Sequence, residues 1–83
     1  MNAKKLLAKL SNSQTNVRFG DLVKLARAVG FQKKGGDGSH EVYAHPAVKE
    51  ILNLQRDGGQ AKPYQVRQLL KYIEEYNLTI DGD

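Results

Sequence analysis

Apolar residues recur at helical spacing from the start of the chain: Ala3, Leu6, Leu7 and Leu10 fall at i, i+3, i+4 and i+7. This predicts a short amphipathic helix over residues 3–10. The polar run "SNSQTN" (11–16) follows as a loop, and Asn16 is expected to cap the next helix. "VRFGDLVKLARAVG" (17–30) repeats the helical spacing with Phe19, Leu22, Val23, Ala26 and Val29, and Gly30 is expected to stop it. Asp21 near the start and Arg27 near the end suit the helix dipole.

The pattern then shortens. "FQKK" (31–34) reads as extended, and Gly35 and Gly36 are expected to break it. "SHEVYAH" (39–45) has β-branched and aromatic content and ends at Pro46, which holds His45 out of the helical region. Two extended runs joined by "GGDG" predict a hairpin. "EILNLQ" (50–55) fits a helix turn or a third strand, with the strand favoured, and is ended by Asp57-Gly58-Gly59. The clearest element is a helix in "KPYQVRQLLKYIEEYNL" (62–78). Pro63 fits its first turn, and Val66, Leu69, Leu70, Ile73 and either Tyr76 or Asn77 make one apolar stripe. "TIDGD" (79–83) is expected to fray.

The order α-α-β-β-β-α predicts an α+β fold. Both major helices can be covered on one side of a three-stranded antiparallel sheet, leaving the other side to water or a ligand. With 83 residues the chain is expected to be a single domain over 1–83. A domain of this size buries only roughly 60–65% of its unfolded surface, so its stability is expected to be modest.

Composition removes several classes of function. The absence of cysteine excludes disulfides and thiolate metal clusters, and a zinc site on two histidines would have to borrow carboxylates. No metal or cofactor is expected. No apolar run approaches the roughly 20 residues of a membrane span. The apolar stretch in "MNAKKLLAKL" is too short for a signal peptide. A soluble, cytoplasmic protein without membrane partner is the expectation.

Charge points to a partner. The net charge is +4, but all 13 Lys and Arg lie within residues 1–73 against five acids, leaving that part at +8. Glu74, Glu75, Asp81 and Asp83 make the end acidic. A basic body suits a polyanion, although a solvated surface has the same composition. Lys33 and Lys34 precede the hairpin tip, Lys62 precedes the last helix, and Arg67 and Lys71 share a face of it at i, i+4.

Both histidines fall within "GGDGSHEVYAHP" (35–46). An imidazole trades protons near neutral pH, so His40 can take one from a ribose 2′-hydroxyl or give one to a leaving 5′-oxygen. A half-buried strand histidine bonded to a neighbour is the plainer alternative. His45, held extended by Pro46, reads as structural. The glycine-rich tip reads as a flexible turn rather than a phosphate cradle, since no P-loop lysine pattern accompanies it. Strand alternation groups His40 with Val42 and Ala44, and Ser39 with Glu41, Tyr43 and His45. Both rows contain apolar groups, so the pattern does not choose the face.

"LVKLARAVGF", then "GSHEVY", then "AKPYQVRQLL" resembles the HicA-type toxins of bacterial toxin–antitoxin pairs, which are small mRNA interferases. The likeness covers residues 17–78, with 1–16 as an added helix and loop and 79–83 as a tail. The resemblance implies a fold like the double-stranded-RNA-binding domain, with helices on one face of a three-stranded sheet. It also implies metal-independent RNA cleavage through His40, with a HicB-type antitoxin covering the site. Gly38 and Ser39 are expected at the substrate, with Lys33, Lys34, Lys62, Arg67 and Lys71 as a basic rim. The proton donor to the leaving group is left among Tyr43, Lys33, Lys34 and Arg56. Two positions depart from the pattern: Asp37 stands where relatives often carry a base, and Gln55-Arg56-Asp57 where many have P-x-H. Weaker cleavage is the expectation from both. The rival reading is a non-catalytic module of the same fold that binds RNA or a protein.

Overall fold

The computed structural model of the chain describes residues 1–80. Along the chain run α1 (Ala3–Asn12), α2 (Phe19–Ala28), β1 (Gln32–Asp37), β2 (His40–Ala44), β3 (Leu52–Asp57), β4 (Gln60–Ala61) and α3 (Pro63–Glu75). Among the described residues these form three helices and one antiparallel sheet in the order β1-β2-β3-β4. The α+β class and the extra N-terminal helix are as expected. The sheet gains a fourth strand that the sequence reading did not contain. β3 ends at Asp57, as expected, but the chain then turns back through Gly58-Gly59, pairing Asp57 with Gln60 and Arg56 with Ala61.

That short strand explains how α2 begins. Asn16 does not cap it: Asn16 sits at φ 56, and the N-cap is Arg18, without a side-chain cap bond. Residues 17–19 instead lie along β4, where Ala61 N donates to Val17 O at 2.8 Å and Phe19 N to Gly59 O at 3.1 Å. Backbone pairing to the sheet edge replaces the cap. In α1 a cap does form, with Asn2 Oδ1 accepting from Lys5 N at 2.9 Å. Gly30 closes α2 at φ 107, as expected of a helix stop.

The glycine-rich segment also differs from its expected form. Gly35 and Gly36 do not break β1. They pair with Val42 and Glu41, and the ladder continues to Asp37 opposite His40, so the connecting turn is only Gly38-Ser39. Lys34 is the extra residue of a bulge between Lys33 and Gly35. Gly36 lies at φ 103, and a Cβ there would run into the His40 carbonyl oxygen. A glycine pattern reads as a loop because it carries no side-chain alternation; here it permits close backbone approach inside a strand.

One apolar cluster joins Leu6 and Leu10 of α1, Phe19, Leu22 and Leu25 of α2, and Val66, Leu69 and Tyr72 of α3 to Tyr43, Leu52 and Leu54 of the sheet. The register explains which sheet row points inward: Tyr43 stands opposite Leu52, and Glu41 opposite Leu54. His40, Val42 and Ala44 occupy the other row, opposite Gln55 and Asn53, and none belongs to the cluster. At the end of α3 the stripe continues through Tyr76, not Asn77, with Leu78 and Ile80 also packed on the cluster. Of the tail expected to fray, residues 81–83 lie outside the described residues.

Candidate functional site

His40 opens β2 directly after the Gly38-Ser39 turn and is exposed on the outward row of the sheet. Its backbone is gripped from both sides. Gly36 packs against its carbonyl, Gln55 pairs with it on β3, and Arg56 N donates to the Ser39 carbonyl at 3.0 Å. The imidazole, in contrast, has no hydrogen-bond partner among the described residues. The backbone is fixed, and the exposed ring is open to a ligand. Asp37 is its cross-strand neighbour on β1. A Cβ at Gly38 would meet nothing within 4 Å, so the free chain has no steric need for glycine there.

His45 is spent on structure. Its Nδ1 accepts from Ala47 N at 2.9 Å, and its Nε2 therefore donates to the Val29 carbonyl at 2.9 Å. The ring also meets Phe31 edge-on, with centroids 5.2 Å apart. A cleft of about 520 Å³ borders His45, Gly30 and Tyr76. It does not include His40, and the histidine on its wall has both nitrogens engaged.

The candidates for a second proton carrier separate by face. Tyr43 is buried and its hydroxyl donates to Glu41 Oε1 at 2.7 Å. Arg56 reaches Glu41 Oε2 at 3.3 Å and lies over the Phe19 ring, 4.4 Å from its centroid. Arg27 covers the Tyr43 ring at 5.5 Å. Tyr43, Arg56 and Glu41 thus form a polar knot on the inward row, behind the strand that carries His40. Lys33 belongs to that row too, opposite Tyr43. Lys34, displaced by the bulge, instead borders a shallow pocket with Gln32 and Ala44 of the outward row.

The hydrogen bond from Tyr43, with help from Lys33 and Arg56, holds the Glu41 carboxyl below its ordinary 4.5 against the opposing effect of burial. Burial, and then Glu41 itself, pushes the Tyr43 phenol up. A carboxyl with a depressed folded-state pKa contributes stability that is fully present above its unfolded value and is lost as pH falls through its folded value. Urea melts should therefore show stability declining as pH drops below about 4.5, with that part of the decline absent in Glu41→Gln. Glu41→Ala leaves the Tyr43 hydroxyl without its partner and should cost about 1–3 kcal/mol at pH 7.

The expected basic rim draws on two elements, β1 and α3. Lys33 and Lys34 are exposed on β1, and Lys62 is half-buried as the N-cap of α3. Arg67 and Lys71 are exposed on the side of α3 turned away from its buried residues Val66, Leu69 and Tyr72. What brings α3 to the site is Gln65, which sequence reasoning passed over. It is 2% exposed, takes Gln55 N on its Oε1 at 2.9 Å, and gives its Nε2 to Asn53 O at 2.6 Å. The side-chain amide thereby completes the β3 edge where β4 is too short to do so. The available signal was a polar residue in register with the apolar stripe, four before Leu69 and seven before Tyr72.

Among the described residues no group of three or more His, Cys, Asp or Glu is placed to hold a metal ion, and no helix is long and apolar enough to cross a membrane. The family model described as the HicA toxin of bacterial toxin–antitoxin systems matches residues 19–74, a span running from the first residue of α2 almost to the end of α3. The chain belongs to the HicA toxin family, a family of mRNA-cleaving toxins with cognate antitoxins. Comparison with curated proteins and with solved structures gives no match.

Proposed function

We propose that the chain is a cytoplasmic endoribonuclease toxin that cuts mRNA through His40 without a metal and is neutralised by a HicB-type antitoxin covering that face. The single observation that carries the reading is the exposed, unpartnered His40 ring on a backbone fixed by Gly36 and Gln55. His40 takes the proton of a ribose 2′-hydroxyl as that oxygen attacks the adjacent phosphorus. The phosphorus–5′-oxygen bond breaks, leaving a cyclic phosphate, and the 5′-oxygen takes its proton from the solvent that reaches this open face. Ser39 bonds a phosphate oxygen, Gly38 lets the strand approach closely, and Lys33, Lys34, Lys62, Arg67 and Lys71 hold phosphates. Residues 17–78 form the working core of the domain.

The test is cleavage of an unstructured RNA by the purified chain in EDTA, together with RNA binding from low to high salt. Cutting should persist in EDTA, and log affinity should fall with log salt at roughly −0.7 per phosphate contact. A chain that binds RNA but never cuts it is the non-catalytic module instead. A titration without slope returns the basic side chains to ordinary solvated surface.

A further inference from the structure

We propose that Tyr64 is a stacking platform for a base of single-stranded RNA, set beside His40 across the edge of β3; this rests on the reading of the chain as an RNA-binding toxin. The chain has four tyrosines, two phenylalanines and no tryptophan. Phe19, Phe31, Tyr43 and Tyr72 are buried in the core. Tyr76 packs against that core and gives its hydroxyl to Glu50. Tyr64 is the exposed one, at 56%. Packing does not account for it.

Its position is held, not loose. The Tyr64 hydroxyl accepts from Gln65 Nε2 at 3.3 Å, and the same amide is bonded to Asn53 O and Gln55 N. Pro63 fixes the backbone just before it at the start of α3. Gln55 is in turn the cross-strand partner of His40. Two strand spacings, on the order of 10 Å, separate His40 from the edge where Tyr64 is tied. One RNA strand passing around the β3 edge, from the outward face to the start of α3, can touch both.

The neighbours fit the same ligand. Tyr64, Arg67 and Lys71 fall at i, i+3 and i+7 of α3, on one face, and Arg67 and Lys71 are exposed. Lys62 precedes the ring, and residues 58–73 contain no acid. An aromatic flanked by cations receives a base on its face and phosphates on either side, without preference for sequence. That alternation favours a single-stranded nucleic acid over an acidic protein, which needs the cations but not an exposed ring held between them.

The experiment measures binding of the full chain to two oligomers of equal length. One is an unstructured RNA with 2′-O-methyl riboses, which blocks the attacking oxygen; the other is its abasic counterpart. Tyr64→Ala should weaken the base-bearing oligomer about 5- to 150-fold and leave the abasic one unchanged. Tyr64→Phe, which keeps the ring but loses the hydroxyl contact to Gln65, should bind far closer to wild type than Tyr64→Ala does. Thermal melts of both variants should match wild type, since the side chain is exposed. Equal affinity of Tyr64→Ala and wild type for the base-bearing oligomer overturns the stacking role and leaves cleavage at His40 standing. Equal loss on both oligomers also overturns it, since the ring would then be acting through charge or shape. A variant that loses the antitoxin but not RNA assigns the ring to the protein partner. Wild type that binds neither oligomer removes the RNA reading and the stacking role together.

Discussion

Replacing His40 by alanine should lower RNA cleavage by on the order of 10²–10⁴, the usual contribution of a positioned general base. The thermal melt should barely move. His40 is exposed, its ring bonds to nothing among the described residues, and its row of the sheet contributes nothing to the apolar cluster. The contacts that hold this corner are backbone contacts, from Gly36, Gln55 and the Arg56 N–H to Ser39, and alanine keeps all of them. RNA binding should also persist, because the expected phosphate contacts are the lysines and the arginine of the basic rim, which the mutation leaves in place. The measurement is cleavage of an unstructured RNA in EDTA beside a melt and a binding curve. Full activity in the mutant would falsify the role of His40. Loss of all wild-type cutting in EDTA would remove the metal-independent mechanism while leaving the surface as an RNA site. His45→Ala should give the opposite profile, since both its nitrogens serve the backbone at Val29 and Ala47.

The three helices were legible because each needs one apolar stripe, and a period of 3.6 survives in a short sequence. The strands were legible only where side chains alternate. β2 and β3 carry such a pattern; β1 passes through Gly35 and Gly36, which carry none, and its existence depends on Val42 and Glu41 across the ladder. β4 is too short to show a period, and the Gly58-Gly59 turn before it looks like an ending. The same reasoning explains why the face of His40 could not be read. Within β2 both rows contain apolar groups, and the choice is made by the pairing of Tyr43 with Leu52 and Glu41 with Leu54, which is a property of two strands and not of one. That choice placed Tyr43 and Arg56 behind His40, although the sequence alone allowed them beside it. The catalytic candidate was found through the order of its motif along the chain. Its surroundings required the register.

Gln65→Ala should be among the most damaging single changes outside the apolar core, at about 2–5 kcal/mol from two backbone groups of β3 losing their partners. That is a large share of the roughly 5–15 kcal/mol typical of a domain. Gln55 N and Asn53 O lie on the edge that β4 does not reach, and Gln65 is their partner there. Gln65→Glu separates this explanation from simple loss of packing. The carboxylate can still accept from Gln55 N, but it sets a buried negative charge against the Asn53 carbonyl. Protonation turns the second oxygen into a donor and restores both bonds. Burial and the carbonyl therefore raise the folded-state pKa of the introduced carboxyl above its unfolded value of about 4.3. A raised folded pKa means that the gap to wild type is smallest below the unfolded value and widens as pH rises through the folded one. Comparing each variant with wild type at the same pH cancels the decline that Glu41 brings to both. Urea melts from acid to neutral pH should show the Gln65→Glu gap closing in acid while the Gln65→Ala gap stays constant. A Gln65→Glu gap that is flat with pH would mean that the amide does not bridge the β3 edge. The position of α3, and of Tyr64 beside His40, would then need another cause.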